Sequence, residues 1–230
     1  MSLFTMKNVR KTFAHGEVKE EILKGIDVTL PEGKITALTG ASGSGKSTLL
    51  TIAAGLQTAS DGQISFEQQE LTSMRSEELR QIRAKQFGFI FQFAHLVPFL
   101  TVEEQLALML ETAESSLSKQ EQKKEIRQVL ELVDMWKRKN AYPPSLSGGE
   151  KQRVAVARAI IHSPKVLFAD EPTASLDSKR SQEVMRLIQR LSKERHITVL
   201  MVTHDMDMLD YVDHVIEMRD GKIIQEDSIH

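Results

Sequence analysis

The sequence predicts an α/β fold, a largely parallel sheet with helices on both faces. Three observations carry this. Short apolar runs alternate with amphipathic stretches along the chain. One of those runs, Lys34–Thr39, feeds a glycine-rich loop that opens a helix. A mostly helical stretch, roughly residues 93–163, interrupts the alternation as an insertion. With 230 residues, the chain reads as a single domain spanning 1–230.

Taken in order, residues 1–35 read as short strands joined by turns. Ile26–Leu30 alternates and stops at Pro31-Glu32-Gly33. Lys34–Thr39 is a buried strand, and Ser47–Gly55 a helix with Leu49, Leu50, Ile52 and Ala53 apolar. Asp61-Gly62 turns into the strand Gln63–Phe66, and Ser76–Ala84 is a charged helix. Phe87–Gln92 is an apolar strand ending in a polar residue. Thr101 opens a helix, with Glu104 placed to complete a capping box. Lys119–Met135 is amphipathic, with Ile126, Val129, Leu130 and Val133 on one face and solvated Glu and Lys on the other. Asn140–Ser145 is a loop, and Glu150–His162 a helix stopped by Pro164. Lys165–Ala169 returns to buried strand, and Ser178–Glu194 packs on Val184, Leu187, Ile188 and Leu191. Ile197–Thr203 is a β-branched strand ending at His204, and Val215–Gln225 a hairpin turning at Asp220-Gly221.

Composition excludes several classes. The formal charge of −2 exerts no global pull on nucleic acid, so no nucleic-acid partner is expected. Without cysteine there are no disulfides and no thiolate metal sites. No stretch approaches the roughly 18 apolar residues of a membrane span. The start, Met1-Ser2-Leu3-Phe4-Thr5-Met6-Lys7, lacks the apolar run and cleavage site of an export signal. A cytoplasmic protein is expected, with any membrane role reached through a partner.

Three motifs carry chemistry. Gly40-Ala41-Ser42-Gly43-Ser44-Gly45-Lys46-Ser47 sits between strand and helix. Glycines let backbone N–H groups turn inward on polyphosphate, and the helix N-terminus adds a favourable dipole. Lys46 then reaches the β- and γ-phosphates, and Ser47 ligates Mg²⁺. Asp170, at the end of a buried strand, suits Mg²⁺, and Glu171 suits activation of an attacking water. Leu146-Ser147-Gly148-Gly149-Glu150 opens a second helix whose N-terminus fits an anion. One nucleotide has one γ-phosphate, already cradled by the first loop, so this second element fits the nucleotide of a neighbouring copy.

On these motifs the chain resembles the ATP-binding cassette (ABC) ATPases over essentially its whole length. The resemblance implies a P-loop NTPase nucleotide-binding domain: a RecA-like core, an antiparallel β subdomain and the helical subdomain at about 93–163. It makes Gln92 the Q-loop glutamine, Ser175-Leu176-Asp177 the D-loop and His204 the switch histidine. ATP is then sandwiched between two head-to-tail copies. One supplies Gly40–Thr48, Gln92, Asp170, Glu171 and His204; the other supplies Ser147, Gly148 and Gly149, with Asp177 also at the nucleotide. Lys46, Gln92, Glu171 and His204 serve catalysis, and Ser47, Gln92 and Asp170 hold Mg²⁺. Phe13 takes the adenine-stacking position, where the family more often has Tyr; the alternative is a core Phe near a strand end. His15, His95, His162, His196, His214 and His230 show no metal spacing and read as structural or solvated.

The segment Gln92–Leu100 is unusually apolar for a loop. It is either local core or, as in the family, a groove for a cytoplasmic helix of a membrane permease, with Phe93 and Leu96 as its tests. Phe89-Ile90-Phe91-Gln92, Leu96-Val97-Pro98, Tyr142-Pro143 and Ala169–Asp177 are similar to the branch serving macrolide, lipoprotein and antimicrobial-peptide exporters. Within it, Gly88–Gln92 followed by His95–Leu100 is most similar to the ATPases of bacterial haem-efflux pumps. This implies two copies driving two few-span permease subunits at the cytoplasmic face of a bacterial membrane, with haem as cargo. Peptide or lipoprotein export and a cell-division ATPase are the alternatives. Repair and translation ATPases fit poorly, given a short insertion, no cysteine and one cassette; the LSGGE segment argues against a GTPase-like switch.

Overall fold

A computed structural model describes residues 2–16 and 18–229. Met1, the His15 side chain and His230 therefore lie outside the described residues, and the expectations for them with it. The chain opens on two long strands, β1 (Ser2–His15) and β2 (Val18–Pro31), paired antiparallel. The expectation of several short strands here is corrected. The pairing carries register shifts at Met6/Val9, Val9/Arg10 and Lys11/Thr12. Each irregularity resets which residues face the core, so a continuous strand loses its period of two.

β3 (Ile35–Thr39) and α1 (Lys46–Ala53) follow, then β4 (Asp61–Phe66), β5 (Gln69–Glu70), α2 (Ser76–Gln86) and β6 (Phe87–Ile90). The insertion holds α3 (Val102–Thr112), α4 (Lys119–Leu132) and α5 (Gly148–Ile160). β7 (Val166–Asp170), α6 (Ser178–Arg195), β8 (Thr198–Val202), β9 (His214–Arg219) and β10 (Lys222–Ser228) complete the chain. One sheet runs β2-β1-β4-β5 and is antiparallel; the other runs β10-β9-β3-β8-β7-β6. The second is parallel from β9 to β6, with β10 added as the antiparallel arm of the expected hairpin.

The central strands are apolar on both faces, as a doubly covered sheet requires. In β7, Val166 and Phe168 face the antiparallel sheet and α1, while Leu167 and Ala169 face the helices α5 and α6. In β8, Leu200 and Val202 divide from Val199 and Met201 in the same way. Phe4, Phe66, Phe87 and Phe168 join the two sheets through tilted and edge-on rings 5.2–6.5 Å apart. Such pairs add roughly 0.5–1.5 kcal/mol each beyond burial. The antiparallel sheet is thereby fixed against the parallel one.

The insertion folds as its pattern demands. Ile126, Val129, Leu130 and Val133 are all buried. At the head of α3 the Thr101 N–H donates to Glu104 at 2.7 Å, and the Glu104 N–H donates to Thr101 Oγ1 at 3.3 Å. α5 starts at Gly148, before the expected Glu150, because Ser147 is its cap: the Glu150 N–H donates to Ser147 Oγ and the Ser147 N–H to Glu150. β6 ends at Ile90, so Phe91 and Gln92 have already left the sheet. Among the described residues no helix is long and apolar enough to cross a membrane.

Candidate active site

The phosphate loop lies where β3 turns into α1, and its geometry needs glycine. Gly40 has φ +132°, and a Cβ there would stand 2.1 Å from the Met218 carbonyl oxygen. Gly45 caps α1 with φ 99°. No acidic residue occupies the first turn of α1, so nothing cancels the positive end of its dipole. Lys46 is buried, and its ammonium donates to the carbonyls of Gly40 and Ala41, both at 2.8 Å. Ser44 Oγ is 3.4 Å away. The charge is thus held over the loop's own backbone, where phosphate oxygens would replace carbonyl ones.

Opposite the loop, β7 ends in Asp170. Ser47 Oγ donates to Asp170 Oδ1 at 3.1 Å. Burial raises the pKa of Asp170; the Ser47 hydrogen bond lowers it, Glu171's charge raises it and Lys46 lowers it, in that order of size. A hydroxyl and a carboxylate facing each other are hard oxygen donors, the chemistry Mg²⁺ takes.

Glu171 turns out of β7 with φ 46°. Its N–H donates to the Val202 carbonyl at 3.0 Å, and its own carbonyl accepts from the Ala174 N–H at 3.2 Å. A left-handed non-glycine residue costs about 1–3 kcal/mol, and such strain concentrates at functional turns. The turn brings Glu171 Oε1 within 3.0 Å of His204 Nδ1, at the end of β8. An ionised carboxylate only accepts, so Nδ1 carries the proton of this contact and Nε2 remains for the cleft.

Lys46, Ser47, Glu171 and His204 share the wall of a cavity of about 500 Å³ with Phe13 and Gly40, whereas Ala41, Ser44 and Asp170 stand behind it. Ser42, Gly43, Gly45 and Thr48 line it as well. Phe13 stands half-buried at the cavity, with Lys11 Nζ 5.0 Å from its ring centroid, so the core-residue alternative does not describe it. Ile22 of β2 also lines the cavity and was not anticipated. Nothing marks it in the sequence, because an apolar residue in a strand reads as core.

Other expected residues stand elsewhere in the same chain. Gln92 is exposed, and its carbonyl accepts from Ser175 Oγ at 3.4 Å; its side chain is not part of the cavity wall. Ser147 and Gly148 are exposed at the head of α5, also outside that wall. Gly149 is buried: a Cβ there would meet Arg180 Cδ at 3.0 Å. Asp177 caps α6, accepting from the Arg180 N–H at 3.1 Å, and its carboxylate also pairs with the Arg180 guanidinium.

The apolar segment after Gln92 needs correcting in detail. Leu96 packs against the buried core. Phe93 is 60% exposed and is not among the residues that wall the neighbouring groove. A groove of about 340 Å³ does lie beside this segment, walled by Leu56, Phe89, Phe91, Val97, Leu108 and Met109.

A phosphate loop on a parallel sheet, facing an acidic strand end, defines a P-loop nucleotide hydrolase. Residues 23–174 match the family described as ABC transporter, and the chain belongs to that family. It is similar to the putative hemin import ATP-binding protein HrtA of Staphylococcus haemolyticus, 42% identical over 95% of this chain and 97% of that one. The protein of the same name from Staphylococcus aureus strain MRSA252 is 43% identical over the same shares. Among solved structures it is similar to the ATP-binding cassette MJ0796, in a dimeric post-hydrolysis state bound to ADP and Pi. That match has a TM-score of 0.90 and 34% identity over 99% of both chains. CbiO1 from Clostridium perfringens, part of the transporter complex cbiONQ, gives 0.87 and 30% over 99% of this chain and 88% of that one. The protein is an ATP-binding ATPase subunit of an ABC transporter.

Proposed function

We propose that two copies of this chain sandwich two MgATP and drive a haem-exporting permease from the cytoplasmic face of the membrane. One observation carries the paired arrangement. The exposed helix head at Ser147-Gly148 stands outside its own chain's nucleotide cavity, free to meet another's. The dimeric, ADP- and Pi-bound state of the similar cassette MJ0796 supports it.

In this reading adenine lies on Phe13 and Ile22, and the phosphates lie on the amides of Gly40–Gly45. Lys46 exchanges its carbonyl partners for β- and γ-oxygens. Ser47 and Asp170 would hold Mg²⁺, which when bound offsets charge on the phosphate oxygens; Gln92, whose side chain stands outside the cavity wall here, would join them only after the loop that carries it moves inward. Glu171 accepts the proton of the attacking water. His204 orients Glu171 through Nδ1–H; donating to the γ-phosphate as well would take the imidazolium form, whose Nε2–H is the second donor. Catalysis is then positioning and charge compensation. The groove beside Phe91 and Leu108 receives a cytoplasmic segment of the permease.

Haem as cargo is supported by the names of the similar staphylococcal proteins, which say import, whereas the motifs resemble efflux ATPases. One variant tests enzyme and direction together. Glu171→Gln is expected to lower turnover about 10²–10⁴-fold while keeping ATP bound and trapping a dimer in sedimentation. A strain carrying it becomes haem-sensitive if the pump exports. Loss of growth on haem iron, without sensitivity, would reverse the direction, and unchanged turnover would remove Glu171 from its role.

A further inference from the structure

The groove proposed for the permease is mostly apolar and, besides His95, Gln105, Thr112 and His162, carries one fixed charge. Arg158, on α5, sits in its wall, and among the described residues no carboxylate lines it. The guanidinium already holds part of the loop after Gln92, donating to the carbonyls of Ala94 and His95, both at 2.8 Å. Those bonds engage one N–H on each terminal nitrogen. The Nε–H and one further N–H on each terminal nitrogen have no protein acceptor among the described residues. Burial presses the pKa of Arg158 downward, and no neighbouring carboxylate offsets it.

Most other polar groups of the wall are engaged: Thr112 Oγ1 donates to the Leu108 carbonyl at 2.8 Å, whereas His162 Nδ1 is buried without a partner among the described residues. Gln105 Oε1 accepts from the Val97 N–H at 3.1 Å, and its Nε2 donates to the carbonyls of Val97 and Leu100. His162 Nε2 lies 3.0 Å from the Phe87 carbonyl and so bears the proton there. Around the cation, Leu56, Phe91 and Leu108 remain 37–50% exposed. A partly desolvated cation with free donors, ringed by exposed apolar side chains, is half of a charge-assisted contact.

We propose that the groove's occupant is a short amphipathic helix of the membrane subunit that sets apolar side chains against Leu56, Phe91 and Leu108 and one carboxylate on Arg158. The inference rests on the docking reading above and adds to it the chemistry of the docked segment. The apolar contacts supply most of the burial, while the carboxylate fixes the helix in one register and rejects a basic segment.

The test uses the tagged chain recovered with its membrane subunit from the native host in mild detergent. Arg158→Gln is expected to lower the recovered membrane subunit about tenfold, and Arg158→Lys, which keeps the charge but loses the planar fork, to lower it less. Because Arg158→Gln also weakens the hold on Ala94 and His95, the acidic residues in the partner's cytoplasmic segments are neutralised one at a time. One of them gives the same loss, and combining it with Arg158→Gln gives no further loss. Full recovery with Arg158→Gln, or no carboxylate showing this non-additivity, overturns the proposal. A photo-crosslinking amino acid in place of Leu108 separates the two readings. If it captures no membrane subunit, docking at the groove fails and this inference with it. If it captures one while Arg158→Gln assembles normally, only the carboxylate fails.

Discussion

Asp170 shows how a residue can be placed for a ligand at a cost to the fold. Its carboxyl loses water on burial and lies near the charge of Glu171, so its folded-state pKa is raised above the unfolded one. The ionised form therefore weakens the empty protein: stability from this group is greatest at low pH and declines as pH rises through the raised pKa. Asp170→Asn removes the charge and keeps the shape. It is expected to raise the melting temperature of the nucleotide-free protein at neutral pH, and to narrow that gain on acidification, while abolishing Mg²⁺-dependent hydrolysis. Calorimetry across pH checks it; a lower melting temperature at neutral pH would show the Ser47 bond outweighing burial. Asp170 and Glu171 were legible because an apolar run ended in two acids. Ile22 was not, since nothing local distinguishes a cavity wall from a core.

At the scale of elements, the loop between β3 and α1 depends on backbone room more than on side chains. At Gly40 a methyl group would press on the Met218 carbonyl in β9, and φ +132° suits only glycine. Gly40→Ala is expected to cost about 2 kcal/mol or more, lowering the melting temperature by about 4 °C or more at this chain length, and to weaken ATP binding in calorimetric titration. An unchanged melting temperature would mean that β9 yields freely. Helices were easy to read where capping and period agreed, as at Thr101–Glu104 and along α4. β1 and β2 were misread because their irregular pairing breaks the alternation a strand is read by. The groove after Gln92 was legible as an apolar segment, but which of its residues face outward depends on packing: Leu96 turned inward and Leu56, from the end of the α1 region, came into the wall.

The whole molecule poses the question of its second copy. Gly148 is exposed, and a Cβ added there meets only Leu176 Cδ2, at an ordinary 3.8 Å. Gly148→Asp should therefore leave monomer stability within about 0.5 kcal/mol. In a Glu171→Gln background it should prevent the ATP-dependent dimer, since a carboxylate would then occupy the place offered to phosphate. Sedimentation with ATP decides; a dimer formed as readily as in the parent would sink the trans role of this helix head. The fold class, the phosphate loop and the acidic strand end could be read in the sequence because each sits at a strand end or helix start with a spacing of its own. How the two sheets lie on each other could not, because it rests on four phenylalanines distant in sequence.

That arrangement of sheets has a mechanical consequence. Phe13 and Ile22 belong to the antiparallel sheet, whereas Gly40–Ser47 continue from β3 of the parallel one into α1. In the proposed binding mode a nucleotide lying on all of them would brace two sheets otherwise joined by the phenylalanine seam and a few polar links, such as the Lys24 N–H donating to the Gly221 carbonyl at 2.9 Å and Lys165 paired with Glu67. Its arrival would then stiffen the joint against shear, so that force generated at the phosphates would pass on as displacement of the whole cassette instead of being lost in its seam.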